Sequence, residues 1–203
     1  MRTKYKPWCE PYIEEHQEVM LKTEEIGNLD NFYLEIGSGK GQFLAKMAIL
    51  NPQEQFIGVE RNVTCCGFTC KKLVELEIKN GKLIYDNADS VLMNVKNEMV
   101  KTIFLNFSDP WPKIRHSKRR LTAESYLDSY YRILKPHGNL IFKTDNKDLF
   151  DFSLEKMNGS KFKIVSKDDN YDGKDSFDVQ TEYEEKFRSE GQPIYRVVLE
   201  KND

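Results

Sequence analysis

The stretch from Phe32 to Leu50 narrows the possible folds more than any other part of this 203-residue chain. An apolar run, Phe32 to Ile36, opens into E-I-G-S-G-K-G at Glu35 to Gly41, and an apolar helical pattern extends from Phe43 to Leu50. Strand, glycine turn and helix in that order make the first half of a βαβ unit. Glycines at 37, 39 and 41 let the backbone approach a ligand with no Cβ in the way, and the start of the helix offers free N–H groups. A glycine-rich turn alone is weak evidence, so its weight depends on the rest of the chain.

Downstream of Leu50 the alternation of strand and helix repeats. Strands are predicted at Gln55 to Val59, Lys82 to Tyr85, Thr102 to Phe107 and Asn139 to Lys143, with helical segments at Val63 to Ile78, Ser90 to Glu98 and Leu121 to Leu134. Pro193 to Glu200 reads as a terminal strand, and Tyr12 to Ile26 has helical character ending near Gly27. Glu35, Glu60, Asn87, Asp109 and Asp145 then fall just past the carboxyl ends of successive strands, which form one edge of a doubly wound parallel sheet. Glu60 also lies within the roughly 20-residue spacing expected of an acid that holds ribose hydroxyls. Glu35 would repel a pyrophosphate, so the turn suits a cofactor with a positively charged amino group better than a dinucleotide.

The segment Asn106 to Arg120, N-F-S-D-P-W-P-K-I-R-H-S-K-R-R, sets an acid, a rigid aromatic turn and a basic cluster side by side. Pro110 and Pro112 forbid continuation of the strand before them, which holds Asp109 at its end. Five of the eight residues from Lys113 to Arg120 are Lys or Arg, a density suited to phosphates. The residues alone leave a second reading open, in which the turn only terminates a strand and the cluster is a solvated helix face.

Hydrophobic residues make up 39% and charged residues 32% of the chain, with a formal net charge of −2, so nucleic-acid contact has to come from local clustering. No apolar run approaches the roughly 20 residues that span a bilayer and no signal-peptide core is evident, which predicts a cytoplasmic protein with no membrane partner. Cys9, Cys65, Cys66 and Cys70, with His16, His116 and His137, have no metal-ligand spacing, and no metal is expected. The arm Met1 to Trp8 interleaves Arg2, Lys4 and Lys6 with Tyr5 and Trp8, a composition that fits nucleic acid and equally a basic, disordered terminus. Domain organisation is expected as an arm and helix over 1–30 and a catalytic domain over 31–203. The long segment between Val165 and Thr181 fits a lid, a binding loop or a merely mobile surface loop.

With E-I-G-S-G-K-G, N-F-S-D-P-W-P-K, R-H-S-K-R-R, F-K-T-D-N and T-E-Y-E-E-K-F in that order, the chain resembles the bacterial tRNA (guanine-N7-)-methyltransferases over nearly its whole length. The resemblance implies a Rossmann-like, S-adenosyl-L-methionine-dependent methyltransferase fold: α/β, with a mostly parallel seven-stranded sheet, the last strand antiparallel, and helices on both faces. It implies transfer of the methyl group to N7 of a guanine in the variable loop of tRNA; a monomer or homodimer is expected. It implies Glu35, Gly37, Gly39, Glu60, Asn87 and Asp109 as cofactor-binding residues. Lys113, Asp145 and the segment Thr181, Glu182, Tyr183, Glu184 are implied for substrate binding, with Asp145 and Glu182 or Glu184 as candidates to read the guanine, and Arg115, His116, Lys118, Arg119 and Arg120 are implied for holding tRNA.

Asn87 departs from the family pattern, which has Asp there; a carboxamide oxygen still accepts a hydrogen bond, at a loss of about 1 kcal/mol. N7 of guanine carries a lone pair and no proton, so no general base is required, and Asp109 is the residue expected to orient the reactants and stabilise the cationic purine. Three other readings compete. A dehydrogenase is disfavoured by Glu35 and the G-x-G-x-G spacing; a methyltransferase of another substrate has no use for the basic cluster; a non-catalytic tRNA-binding module has no use for the strand-end acids.

Overall fold

The structure, a computed structural model, describes residues 3–175 and 177–202, so Arg2 of the basic arm lies outside the described residues. The chain divides into two units, Met1–Lys96 and Asn97–Asp203.

In the first unit β1 (Phe32–Ile36), β2 (Gln55–Glu60) and β3 (Gly81–Tyr85) pair in parallel in the order β3-β2-β1, with Phe32 opposite Gln55 and Phe56 opposite Gly81. Helices α2 (Gln42–Leu50), α3 (Val63–Glu75) and α4 (Ala88–Asn94) come after the three strands in turn. Leu34, Ile36, Phe56, Ile57, Val59, Leu83 and Ile84 are all buried, the near-continuous apolar run of a parallel strand covered on both faces. Each such side chain contributes on the order of 1.5–3 kcal/mol by leaving water.

The helix expected from Tyr12 to Ile26 is broken. The structure has α1 (Cys9–Glu15) and then two 3₁₀ turns, Gln17–Val19 and Thr23–Asn28. Between the turns the chain extends so that Met20 bridges Leu83 and the Leu21 N–H donates to the Leu83 carbonyl at 2.9 Å. Satisfying the edge of β3 outweighs local helix propensity here. Helix α1 lies on α3 because Gly67 has no side chain; a Cβ there would come within 2.4 Å of Cys9 Cβ.

The second unit contains β4 (Val100–Asn106), β5 (Leu134–Thr144), β6 (Lys163–Asp168) and β7 (Tyr195–Glu200) in the order β4-β5-β7-β6. Strands β4 and β5 are parallel, while β7 runs antiparallel to both β5 and β6. Helices α5 (Glu124–Ile133), α6 (Lys147–Asn158) and α7 (Glu182–Ser189) complete it. Strand β6 has no counterpart among the strands expected from sequence: its residues alternate between exposed and half-buried, and K-I-V-S-K-D carries too little apolar signal to read as a strand. Seven strands are therefore present among the described residues, and the last is antiparallel to its neighbours.

Candidate active site

The residues expected to hold the cofactor gather at the glycine turn of the first unit. Gly37, Gly39 and Gly41 all have positive φ, at 81°, 56° and 70°. A Cβ on Gly37 or Gly39 would meet nothing within 4 Å, so open space lies directly over the backbone there. The turn is fixed from two sides. Glu60, at the end of β2, accepts the Gly39 N–H on Oε2 at 3.0 Å, and Thr69 in α3 donates its hydroxyl to the Gly39 carbonyl at 2.9 Å. Oε1 of Glu60 accepts from the N–H groups of Arg61 and Asn62 at 2.9 and 2.8 Å. Burial raises the Glu60 carboxyl above the usual carboxylate range, and the three N–H donors oppose that rise. A carboxylate has about four acceptor positions, so Oε2 can take one more donor. Glu35 is 4% exposed, and the Ser38 hydroxyl is buried with no hydrogen-bond partner among the described residues. A buried acid, an orphaned hydroxyl and an open backbone cradle fit a cofactor that brings an ammonium group and hydroxyls.

Asn87 caps α4: its Oδ1 accepts the Ser90 N–H at 2.9 Å, while its Nδ2 donates to Asp86 Oδ1 at 3.0 Å. Asp86 in turn accepts from the Thr23 hydroxyl at 2.7 Å, and this bond is the main cause of its lowered pKa. Asn62 and Asn146 cap α3 and α6 in the same way, each one or two residues after a strand-end acid. Asp86 therefore stands to Asn87 as Asp145 stands to Asn146. Sequence reasoning passed over Asp86; the repeated acid-then-Asn spacing was the signal.

The residues expected to meet the base and the RNA lie in the second unit. Phe107 and Trp111 bracket Asp109 with φ of 52° and 41°, conformations that bulky residues rarely adopt. Arg120 holds this turn by donating from Nε to the Pro110 carbonyl at 3.0 Å and from Nη2 to the Trp111 carbonyl at 3.1 Å. Arg119 stacks its guanidinium over the Trp111 ring at 5.1 Å, and His116 meets that ring edge-on. Lys113, Arg115 and Lys118 are exposed on and beside the 3₁₀ turn Ile114–Arg119. Within the basic cluster, half-buried Arg120 braces the aromatic turn, while Arg119, stacked on Trp111, is exposed like Lys113, Arg115 and Lys118.

The T-E-Y-E segment forms the start of α7, where the Thr181 hydroxyl accepts the Glu184 N–H at 3.0 Å. Glu182 and Tyr183 are exposed, and the Tyr183 ring lies 6.2 Å from that of Phe107. Glu184 is fully buried. Lys143 Nζ, also fully buried, donates to Glu184 Oε2 at 3.1 Å and to Asp178 Oδ1 at 2.7 Å. Arg188 donates to Glu184 Oε1, and Arg196 faces Asp178 and Asp175. Three cations and three carboxylates so offset one another and tie Asp175 and Asp178 to β5 and β7, with Tyr171 buried among them and its phenol pushed up to about 12 by burial. Asp145, half-buried after β5, has its pKa raised by desolvation. Among the described residues no group of three or more His, Cys, Asp or Glu is arranged to hold a metal ion, and no helix is long and apolar enough to cross a membrane.

Fold and cofactor turn together define the class, that of the Rossmann-like S-adenosylmethionine-dependent methyltransferases. A 16S rRNA methyltransferase, KamB, superposes with a TM-score of 0.65 at 10% identity, covering 89% of this chain and 92% of its own. An rRNA methylase from Streptococcus thermophilus does so at 0.56 and 18% identity over the whole of both chains. A family model described as "Putative methyltransferase" matches residues 30–197, and a tRNA (guanine-N(7)-)-methyltransferase of Lactobacillus johnsonii is 43% identical over 96% of both chains. The chain belongs to the tRNA (guanine-N(7)-)-methyltransferase family.

Proposed function

We propose that this protein transfers the methyl group of S-adenosyl-L-methionine to N7 of a guanine in the variable loop of tRNA. The observation that carries this reading is the end-to-end similarity to relatives named for that reaction, with their motifs in the same order. The cofactor supplies an electrophilic methyl group on a sulfonium. In this reading Glu35 and the open backbone at Gly37 and Gly39 receive its ammonium end, the free acceptor position of Glu60 takes a ribose hydroxyl, and Asn87, fixed by Asp86 and Ser90, accepts from the adenine amino group.

Asp109 orients the guanine and stabilises the positive charge that develops on the purine as N7 is alkylated. Asp145 and Glu182 accept from the N1–H and N2 amino group of guanine. Glu184, already held by Lys143 and Arg188, acts by fixing the start of α7. Lys113, Arg115, His116, Lys118, Arg119 and Arg120 meet tRNA phosphates. The protein works in the cytoplasm, without a metal, as a monomer or homodimer. Incubation with labelled S-adenosylmethionine and unmodified tRNA, with nucleoside analysis of the product, tests the reading. Label in 7-methylguanosine supports it; label in another nucleoside overturns the target, and no label overturns the activity.

A further inference from the structure

One face of the first unit combines exposed aromatic rings with ammonium groups, and no role described above uses it. The arm and α1 lie along α3. There the Trp8 ring meets Phe68 edge-to-face at 5.2 Å, and Lys71 Nζ lies 5.9 Å from the Trp8 ring. Lys40, which belongs to the glycine turn, has its Nζ 5.7 Å from the Phe68 ring. A groove of about 570 Å³ runs between Trp8, Phe68, Lys71, Lys72, Glu75 and Leu76. Tyr5, Trp8 and Leu76 keep 54%, 36% and 52% of their surfaces exposed.

The arm is held in place: the Lys6 N–H donates to the Thr64 hydroxyl at 3.1 Å, and Cys9 packs against Gly67. The backbone that carries its cations is therefore fixed against α3. Lys4, Lys6, Lys40, Lys71 and Lys72 stand against Glu10 and Glu75, five positive charges to two negative, or +3 locally, in a chain whose formal net charge is −2. Exposed rings flanked by ammonium groups suit unstacked bases and the phosphates between them, and every base offers a π face.

We propose that this face is a second RNA-contact surface, which takes the sugar–phosphate backbone and an unstacked base of the same tRNA that is methylated. The inference rests on tRNA being the substrate. It assigns to Trp8, Lys6 and Lys71 a binding role separate from that of the Lys113–Arg120 cluster.

The test uses the full chain with the double substitution K6E/K71E and an unmodified tRNA transcript. Lys6 anchors the arm through its backbone N–H, and Lys71 pairs with Glu75 on the surface of its own helix, so the fold should persist. Unchanged S-adenosylmethionine affinity verifies this. The expected result is a tRNA Kd raised about tenfold and a plot of log K against log salt shallower by about 1.4, from two lost phosphate contacts. The kcat at saturating tRNA should not change.

An unchanged Kd and salt slope overturn the proposal. So does altered self-association with unchanged tRNA affinity, which would make the face an interface with a second copy of the chain. A wild-type protein that binds tRNA but transfers no methyl group contradicts the methylation reading alone; one that does not bind tRNA overturns both.

Discussion

Lys143 Nζ lies 3.1 Å from Glu184 Oε2, and both side chains are fully buried although the residues stand 41 positions apart. A buried cation that loses its carboxylates, or carboxylates that lose their cation, leave uncompensated charge in a medium that solvates it poorly. Lys143→Met is expected to destabilise the second unit by about 3–5 kcal/mol. Chemical denaturation monitored by tyrosine fluorescence measures this. Replacing Lys143 and Glu184 together by apolar residues removes one charge of each sign and leaves Arg188 and Arg196 with Asp175 and Asp178, so it should recover much of the loss while leaving guanine methylation impaired, because α7 is then no longer held by Lys143.

Glu60, in the role proposed for it, should make cofactor binding sensitive to acid. Its carboxyl is raised by burial, so it takes up a proton at a higher pH than the same group in the unfolded chain. Protonation of this group therefore does not drive acid unfolding. What disappears as pH falls through the raised value is the carboxylate that accepts from Gly39, Arg61 and Asn62. S-adenosylmethionine affinity should decline from a pH above the ordinary glutamate range, while the fold persists. Glu60→Gln should bind the cofactor at least tenfold more weakly at neutral pH and lose that acid dependence. Calorimetric titration across pH reads both.

The basic cluster should divide into two kinds of residue. Arg115 and Lys118 face solvent, so replacing both by Ala should weaken tRNA binding and flatten its salt dependence with kcat preserved. Arg120 holds the carbonyls of Pro110 and Trp111, and its replacement by Ala should lower kcat as well, by an expected factor of ten or more, through the placement of Asp109. Single-turnover kinetics at saturating tRNA distinguishes the two effects.

Asp109→Asn keeps the shape of the turn and removes the charge. The expected loss is about 10²–10³ in kcat, the range for removal of one preorganised electrostatic contact, with tRNA affinity unchanged. A variant with near-normal turnover would exclude Asp109 from the electrostatic role.

Much of the fold was legible because its elements are local. Phe32 to Ile36 reads as a strand from five residues and has those bounds in the structure, and the next strand differs only by the inclusion of Glu60. The broken helix after Glu15 and the polar strand β6 were not legible, because each is decided by pairing with distant chain. The same limit applied to the site. The spacing of glycine turn and acid singled out Glu60 as a ribose acceptor, but not its hydrogen bond to the Gly39 N–H. The partnership of Lys143 with Asp178 and Glu184, and the bracing of the D-P-W-P turn by Arg120, depend on residues whose types carry no mark of the partner they meet.

The most direct test of guanine-N7 methylation maps the modified base within tRNA. Unmodified tRNA treated with the protein and S-adenosylmethionine is reduced with borohydride and exposed to aniline, which cleaves the strand at 7-methylguanosine. The predicted result is a single new scission at a guanine of the variable loop, absent when the cofactor is omitted. Methyl transfer with no scission, or scission elsewhere in the molecule, would contradict it.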